Sequence, residues 1–403
     1  MTGRSIALVA AFTITRLAGA WLADHPEAYG GGVSPVGDPT LYRFWATQVL
    51  DHGAVPYTDV RIEYPPGSLP VILAPALVPV VPYRTGLITL LVAVDVLGMV
   101  GLLRIARRRG SMLGPWLWTV LIPLVGPIAY LRLDLVPAAA TIWAMERASV
   151  QGWFGAGGWL GFGAAAKLYP FLLLPAGYLA ARRRGLLVAG AAVVLAIALI
   201  PFVAAPRGLL HSLGYHLGRG IEIESLWGAI LLVVSRFGYP IGFRFDFESL
   251  NVLASAATAL RVAAGLLAVS AVAAGIWLAA RMSFEQRRRH LSAVMFGTLA
   301  TVVAVSTVLS PQYVLWIVAL GAAAACWASS PIRRLSLLLV PISACTQAIY
   351  PFLFEGLAAR EPLPIVVLAA RDLLLLVVGV GSFILLRRTV AERRDHPSAD
   401  VSR

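Results

Sequence analysis

Apolar runs of about 17–25 residues, the length that crosses a ~30 Å hydrocarbon core, recur along this chain from Ser5 to Leu386 with only short polar segments between them. The pattern predicts an all-α polytopic membrane protein, one membrane-embedded unit over residues 1–403. Spans are expected near 5–22, 83–103, 113–130, 135–149, 185–203, 251–280, 291–309, 313–329, 335–353 and 364–387. Residues 155–181 begin and end beside arginine-rich loops, so they must enter the membrane and return. Two short helices meeting at Lys167-Leu168-Tyr169-Pro170 fit this, with the turn buried in protein because non-helical backbone in a membrane needs internal partners. The total is about twelve transmembrane helices. Residues 65–82 hold too many prolines for a crossing helix and are expected in the outer interface. Residues 225–236 read as a partial helix on the same side.

Composition agrees, since 59% hydrophobic residues, 13% charged residues and a mean hydropathy of +0.80 exclude a soluble domain. The net charge of +13 comes from arginines bunched at 107–109, 182–184, 287–289, 333–334, 387–388 and 393–394. They mark cytoplasmic ends under the positive-inside rule and argue against a nucleic-acid partner; contact with anionic lipid is their one further role. Both termini, including a tail over 388–403, are then cytoplasmic, and 23–82 forms the first extracytoplasmic loop of a multi-pass cell-membrane protein. Arg16 inside the first apolar run favours a retained span over a cleaved signal peptide. Cys326 and Cys345 lack ligand or disulfide spacing and read as packing residues, so no metal or cofactor is called for. No internal repeat of a duplicated transporter is visible.

The polar, aromatic block at 37–67 carries most of the candidate chemistry. Asp38-Pro39 opens an amphipathic helix in which Leu41, Phe44, Trp45 and Val49 recur at helical spacing, suited to a membrane surface. Asp38 reads as an N-cap, a role compatible with presenting an oxygen to a substrate hydroxyl. Glu63 precedes Tyr64-Pro65-Pro66 and is either a solvated acid or a substrate contact. Lys167, the only lysine in the chain, lies in an apolar stretch, where an ionisable group is costly and usually functional; pairing with Asp134 is the structural alternative. Arg132 and Asp134 mark an outer turn and could form a local ion pair and nothing more. His216, Arg219, Glu222 and Glu224 share one loop, in which Arg219 between glycines suits an anion. Gln312 and Tyr313 follow Ser310-Pro311 in a break of an apolar run, and Arg261 lies about ten residues into its expected span.

Taken in order, the Gly-Asp of the first outer loop, the acid before Tyr-Pro-Pro, RLDLVPA at 132–138, GAAAKLYPFLLLP at 163–175, YHLGRGIEIES at 215–225, LSPQYVLW at 309–316 and TQAIYP at 346–351 resemble glycosyltransferase family 87 of the GT-C superfamily. That resemblance implies glycosyl transfer, most simply mannosyl, from a polyprenyl-phosphate-linked donor to a glycolipid or glycan acceptor outside the cytoplasm. It implies Asp38 as general base and Lys167, His216, Arg219, Arg132 and Arg261 around the donor phosphate. Glu63, Tyr64, Glu222, Glu224, Gln312 and Tyr313 are then left as sugar or acceptor contacts. Glutamate stands at 222 where many relatives are expected to carry glutamine. A transporter or flippase for a lipid-linked or small solute is the alternative; its charged residues should line a midplane path, whereas these gather on one side.

Overall fold

The computed structural model describes residues 3–29, 37–204, 207–208, 214 and 218–395. Its helices are α1 (Gly3–Asp24), α2 (Gly37–Leu50), α3 (Leu69–Leu73), α4 (Tyr83–Arg109), α5 (Leu113–Val125), α6 (Leu135–Ser149), α7 (Trp153–Ala166), α8 (Leu174–Ala180), α9 (Arg184–Ala204), α10 (Leu226–Ser235), α11 (Ala257–Arg281), α12 (Phe284–Val305), α13 (Val314–Ala325), α14 (Leu339–Gln347), α15 (Phe354–Ala358) and α16 (Pro362–Asp395). Among the described residues, six segments are long and apolar enough to cross a membrane: Ser5–Asp24, Tyr83–Arg109, Arg184–Phe202, Ala257–Arg281, Leu335–Ala358 and Pro362–Ala391. Several of the remaining expected spans are shorter apolar helices, among them α5 at 13 residues and α13 at 12.

The expectation of helices alone needs one correction. Strands β1 (Ile221–Glu222), β2 (Gly242–Asp246) and β3 (Ser249–Leu253) form an antiparallel sheet in the order β1-β3-β2. The segment 251–253, expected in a span, is therefore strand, and α11 starts at Ala257. Arg261 accordingly sits in the second turn of its helix rather than about ten residues into it.

Residues 65–82 behave as their prolines dictate, forming two short 3-10 turns around α3. The turn at Lys167 also forms as expected, with α7 ending at Ala166, Lys167 extended, and a 3-10 segment Tyr169–Leu173 leading into α8. Gly67 docks these two regions together, since a Cβ there would lie 2.6 Å from the Ala165 carbonyl carbon. Only glycine permits that approach, and it fixes Tyr64 beside the Lys167 turn.

A buried ionic network secures α1. Arg16 donates to Asp95 at 2.9 Å and to the carbonyls of Trp118 and Thr119, while the Trp118 indole and the Tyr130 hydroxyl each donate to Asp95 at 2.6 Å. A buried pair whose remaining donors and acceptors are satisfied escapes most of the desolvation cost, so Arg16 joins α1 to α4 and α5. In α2, Tyr42, Trp45 and Ala46 face inward, and Phe44, expected on the apolar face, points outward at 52% exposure. A second, smaller core under the sheet gathers Ile221, Ile223, Leu232, Val252, Ile349 and Leu368.

Candidate functional site

The site is assembled where chain breaks in the helical scaffold meet. Helix α2 begins at Gly37, so Asp38 lies within its first turn; the residue before the helix falls outside the described residues. Favourable interaction with the helix N-terminus is available there to a carboxylate. Its partner is Arg132, with which it forms an ion pair. Arg132 lies in the turn between α5 and α6, which Gly126 initiates at φ 90°.

Two residues on, Asp134 takes the opposite direction. It is fully buried, accepting from Lys167 Nζ at 2.9 and 3.1 Å and from the Trp316 indole at 2.7 Å. The two local candidates thus do not pair with each other. Each reaches a distant segment instead, because neighbours two apart in this turn project to different sides. The Lys167 ammonium also sits 5.0–5.3 Å from the ring centres of Tyr64, Tyr313 and Trp316, within cation–π range. Trp316 stacks on Tyr313 at 4.0 Å and on Tyr169 at 4.3 Å, forming an aromatic wall. The Tyr64 hydroxyl lies 2.8 Å from that of Tyr42, and burial pushes the Tyr64 phenol up to about 12, so it stays neutral and able to donate.

These groups line a cleft of about 210 Å³ that brings together Asp38, Glu63, Tyr64, Arg132, Lys167, Arg219, Gln312 and Tyr313. Arg219 lies 3.4 Å from the Tyr313 hydroxyl and 3.8 Å from Glu222. Gln312 is 2% exposed, and its side-chain oxygen has no protein partner among the described residues. A second cavity of about 300 Å³ adjoins the cleft and is lined by Glu222 and Glu224. Asp38, Leu41, Arg132, Glu248 and Ser310 line both. Ser310 donates to Glu222 at 3.0 Å. Glu224 is pushed up to about 8, by burial first and then by Glu222, with Arg371 opposing.

Arg261 is in neither cavity. It lines a groove between α11 and α12 that also includes Arg219, Ala264, Gly265 and Ala268. His216 lies outside the described residues.

Sequence reading missed several of the groups around the site. Phe247 and Glu248, at the β2–β3 turn, line the cleft. Arg371, fully buried in α16, pairs with Asp372 at 2.9 Å and donates to the Glu224 carbonyl. Its place inside an apolar run was the available signal, by the same reasoning that singled out Lys167.

Chemically, the cleft offers the carboxylates of Asp38, Glu63 and Glu248 and the cations Arg132, Lys167 and Arg219, with an aromatic wall on one side and the two buried glutamates of the adjoining cavity on the other. Such a site can accept a proton from a hydroxyl and stabilise a departing anion. No curated protein matches the chain. The sequence model of glycosyltransferase family 87 matches residues 63–311, more than half of the 403. The match takes in Arg132, Lys167, Arg219 and both glutamates, and it begins after Asp38. On that match the transporter alternative gives way to glycosyl transfer, and the chain belongs to glycosyltransferase family 87.

Proposed function

We propose that this protein transfers a glycosyl residue, mannosyl in the first instance, from a polyprenyl-phosphate-linked donor to a glycolipid or glycan acceptor of the cell envelope. The reaction is placed at the extracytoplasmic face of the cell membrane. The observation that carries the reading is the position of Asp38 on the wall shared by the two cavities. A donor phosphate among Arg132, Lys167 and Arg219 and an acceptor beside Glu222 and Glu224 would meet at that carboxylate.

In this mechanism Asp38 takes the proton of the acceptor hydroxyl as its oxygen attacks the anomeric carbon. The bond from that carbon to the phosphate oxygen breaks, and polyprenyl phosphate leaves with the electron pair. One displacement inverts the anomeric configuration. Arg132, paired with Asp38 in the resting protein, is placed to turn its charge toward the leaving phosphate. The groove containing Arg219 and Arg261 is suited to the isoprenoid chain, with its cations next to the phosphate.

The outer-face assignment is supported by the layout of α12, whose start carries the arginines at 287–289 and whose end leads to Ser310 and Gln312. At 1.5 Å per residue its 22 residues separate those ends by about 33 Å, a membrane's thickness. The test is incubation of membranes containing the protein with radiolabelled polyprenyl-phosphate mannose. Label should pass to an envelope acceptor with release of polyprenyl phosphate; transfer from a sugar nucleotide instead would overturn the donor assignment.

A further inference from the structure

The turn joining β2 to β3 is a two-residue hairpin, because Asp246 pairs with Ser249 and leaves only Phe247 and Glu248 between the strands. Both have φ of 54°. That is the type I′ form of a two-residue hairpin, which needs positive φ at both central positions and is usually built from asparagine and glycine. A bulky aromatic and a glutamate held in this region are strained, and strain of this kind persists where surrounding structure maintains it, commonly at ligand sites. These two residues also line the cleft. Phe247 does so together with Lys167 and Arg219, and Glu248 lines both cavities alongside Asp38. The hairpin is firmly anchored, since β3 also pairs with β1 and the Asn251 amide donates to the Asp246 carbonyl at 3.0 Å.

We propose that this hairpin tip is the element that recognises the sugar carried by the donor. The Phe247 ring packs against the apolar C–H face of the sugar, and the Glu248 carboxylate accepts from one of its hydroxyls, so together they select among epimers. This rests on the proposed glycosyl transfer and adds which residues read the sugar.

The discriminating variant is Phe247→Asn with Glu248→Gly, the pair that relaxes a turn of this type. Purified protein should melt several degrees higher than wild type. It should at the same time show a KM for the donor raised about tenfold and a loss of about tenfold in discrimination between epimeric donors on the same lipid, the range expected when a sugar hydroxyl loses its partner. The acceptor KM should be unchanged. Saturation-transfer NMR with methyl glycosides reads sugar contact without turnover and should weaken in the variant. A more stable variant with wild-type kinetics and undiminished NMR contact would overturn the proposal, as would a rise confined to the acceptor KM. A variant that melts lower than wild type would remove the strain on which it rests. If wild type binds methyl glycosides through the tip yet is inert toward every polyprenyl-phosphate sugar, the donor reading falls and the hairpin assignment stands.

Discussion

Neutralising Lys167 should lower the stability of this protein as well as its turnover. Among the described residues its ammonium is the one cation paired with the fully buried Asp134 carboxylate, and Lys167→Met would leave Asp134 with the Trp316 indole as its donor. Removing one member of a buried pair costs about 3–5 kcal/mol, and the retained indole bond places this case near the lower end. At roughly 2 °C per kcal/mol for a large chain, the apparent melting temperature should fall by about 6 °C. Lys167→Met combined with Asp134→Asn removes both charges, so it should recover most of that loss. Lys167→Arg keeps the charge and should melt near wild type, but its planar fork cannot occupy the ammonium's place among three rings, so donor turnover should recover only in part. Thermal melts of the four purified proteins, followed by donor turnover in the folded fraction, make the assay. If Lys167→Met melts within a degree of wild type and Asp134→Asn adds nothing, the buried pair is not an energetic unit.

Asp38→Asn should lower turnover by roughly 10²–10⁴-fold, as expected for loss of a general base, without a comparable fall in melting temperature; near-normal turnover would move the role to Glu63. Glu224 holds a proton in the folded state up to about pH 8 but loses it near 4.5 when unfolded, so its contribution makes stability fall as pH rises between those values and level off above. Glu224→Gln should remove that slope and melt above wild type at pH 8, which a pH series of melts would check. Gly67→Ala drives a methyl into the Ala165 carbonyl and should cost about 1–3 kcal/mol, read as a lower melting temperature with weakened donor use. A cysteine at Ala54 should react with an impermeant thiol reagent in intact cells, and one at Gly185, beside the arginines at 182–184, should be protected; the reverse pattern would invert the orientation.

Periodicity located the helices well wherever the chain was apolar and uninterrupted, as with α4, expected at 83 and starting at Tyr83. It also exposed Lys167, because one charge in an apolar run stands out. Pairing was legible in part, since Lys167 with Asp134 stood as the structural alternative and does form. Adjacency suggested Arg132 with Asp134, and nothing in spacing shows that the two residues of a short turn face opposite ways. The sheet escaped for a different reason. Phe243 and Phe245 alternate with polar neighbours in β2, yet the turn residues Phe247 and Glu248 give none of the glycine or asparagine signal by which a tight hairpin is recognised. The number of crossings was read from apolar runs and from the arginine-rich loops between them; six described segments are long and apolar enough to cross, while α5 and α13 are shorter than the runs that suggested them.

The two donors to Asp134 come from very different distances along the chain, 33 residues for Lys167 and 182 for Trp316. Synthesis proceeds at about 5–20 residues per second, so the roughly 150 residues between the two donors take on the order of 10–30 s to emerge. Throughout that interval Lys167, at the end of α7, is the donor to this carboxylate that the chain already contains. The indole closes over a charge pair that is in place, and the nascent protein need not expose an unpaired carboxylate to lipid while it waits for its C-terminal third. Biogenesis therefore favours a cation at 167 independently of turnover, and a chain that lost it would be at risk before it was ever an enzyme.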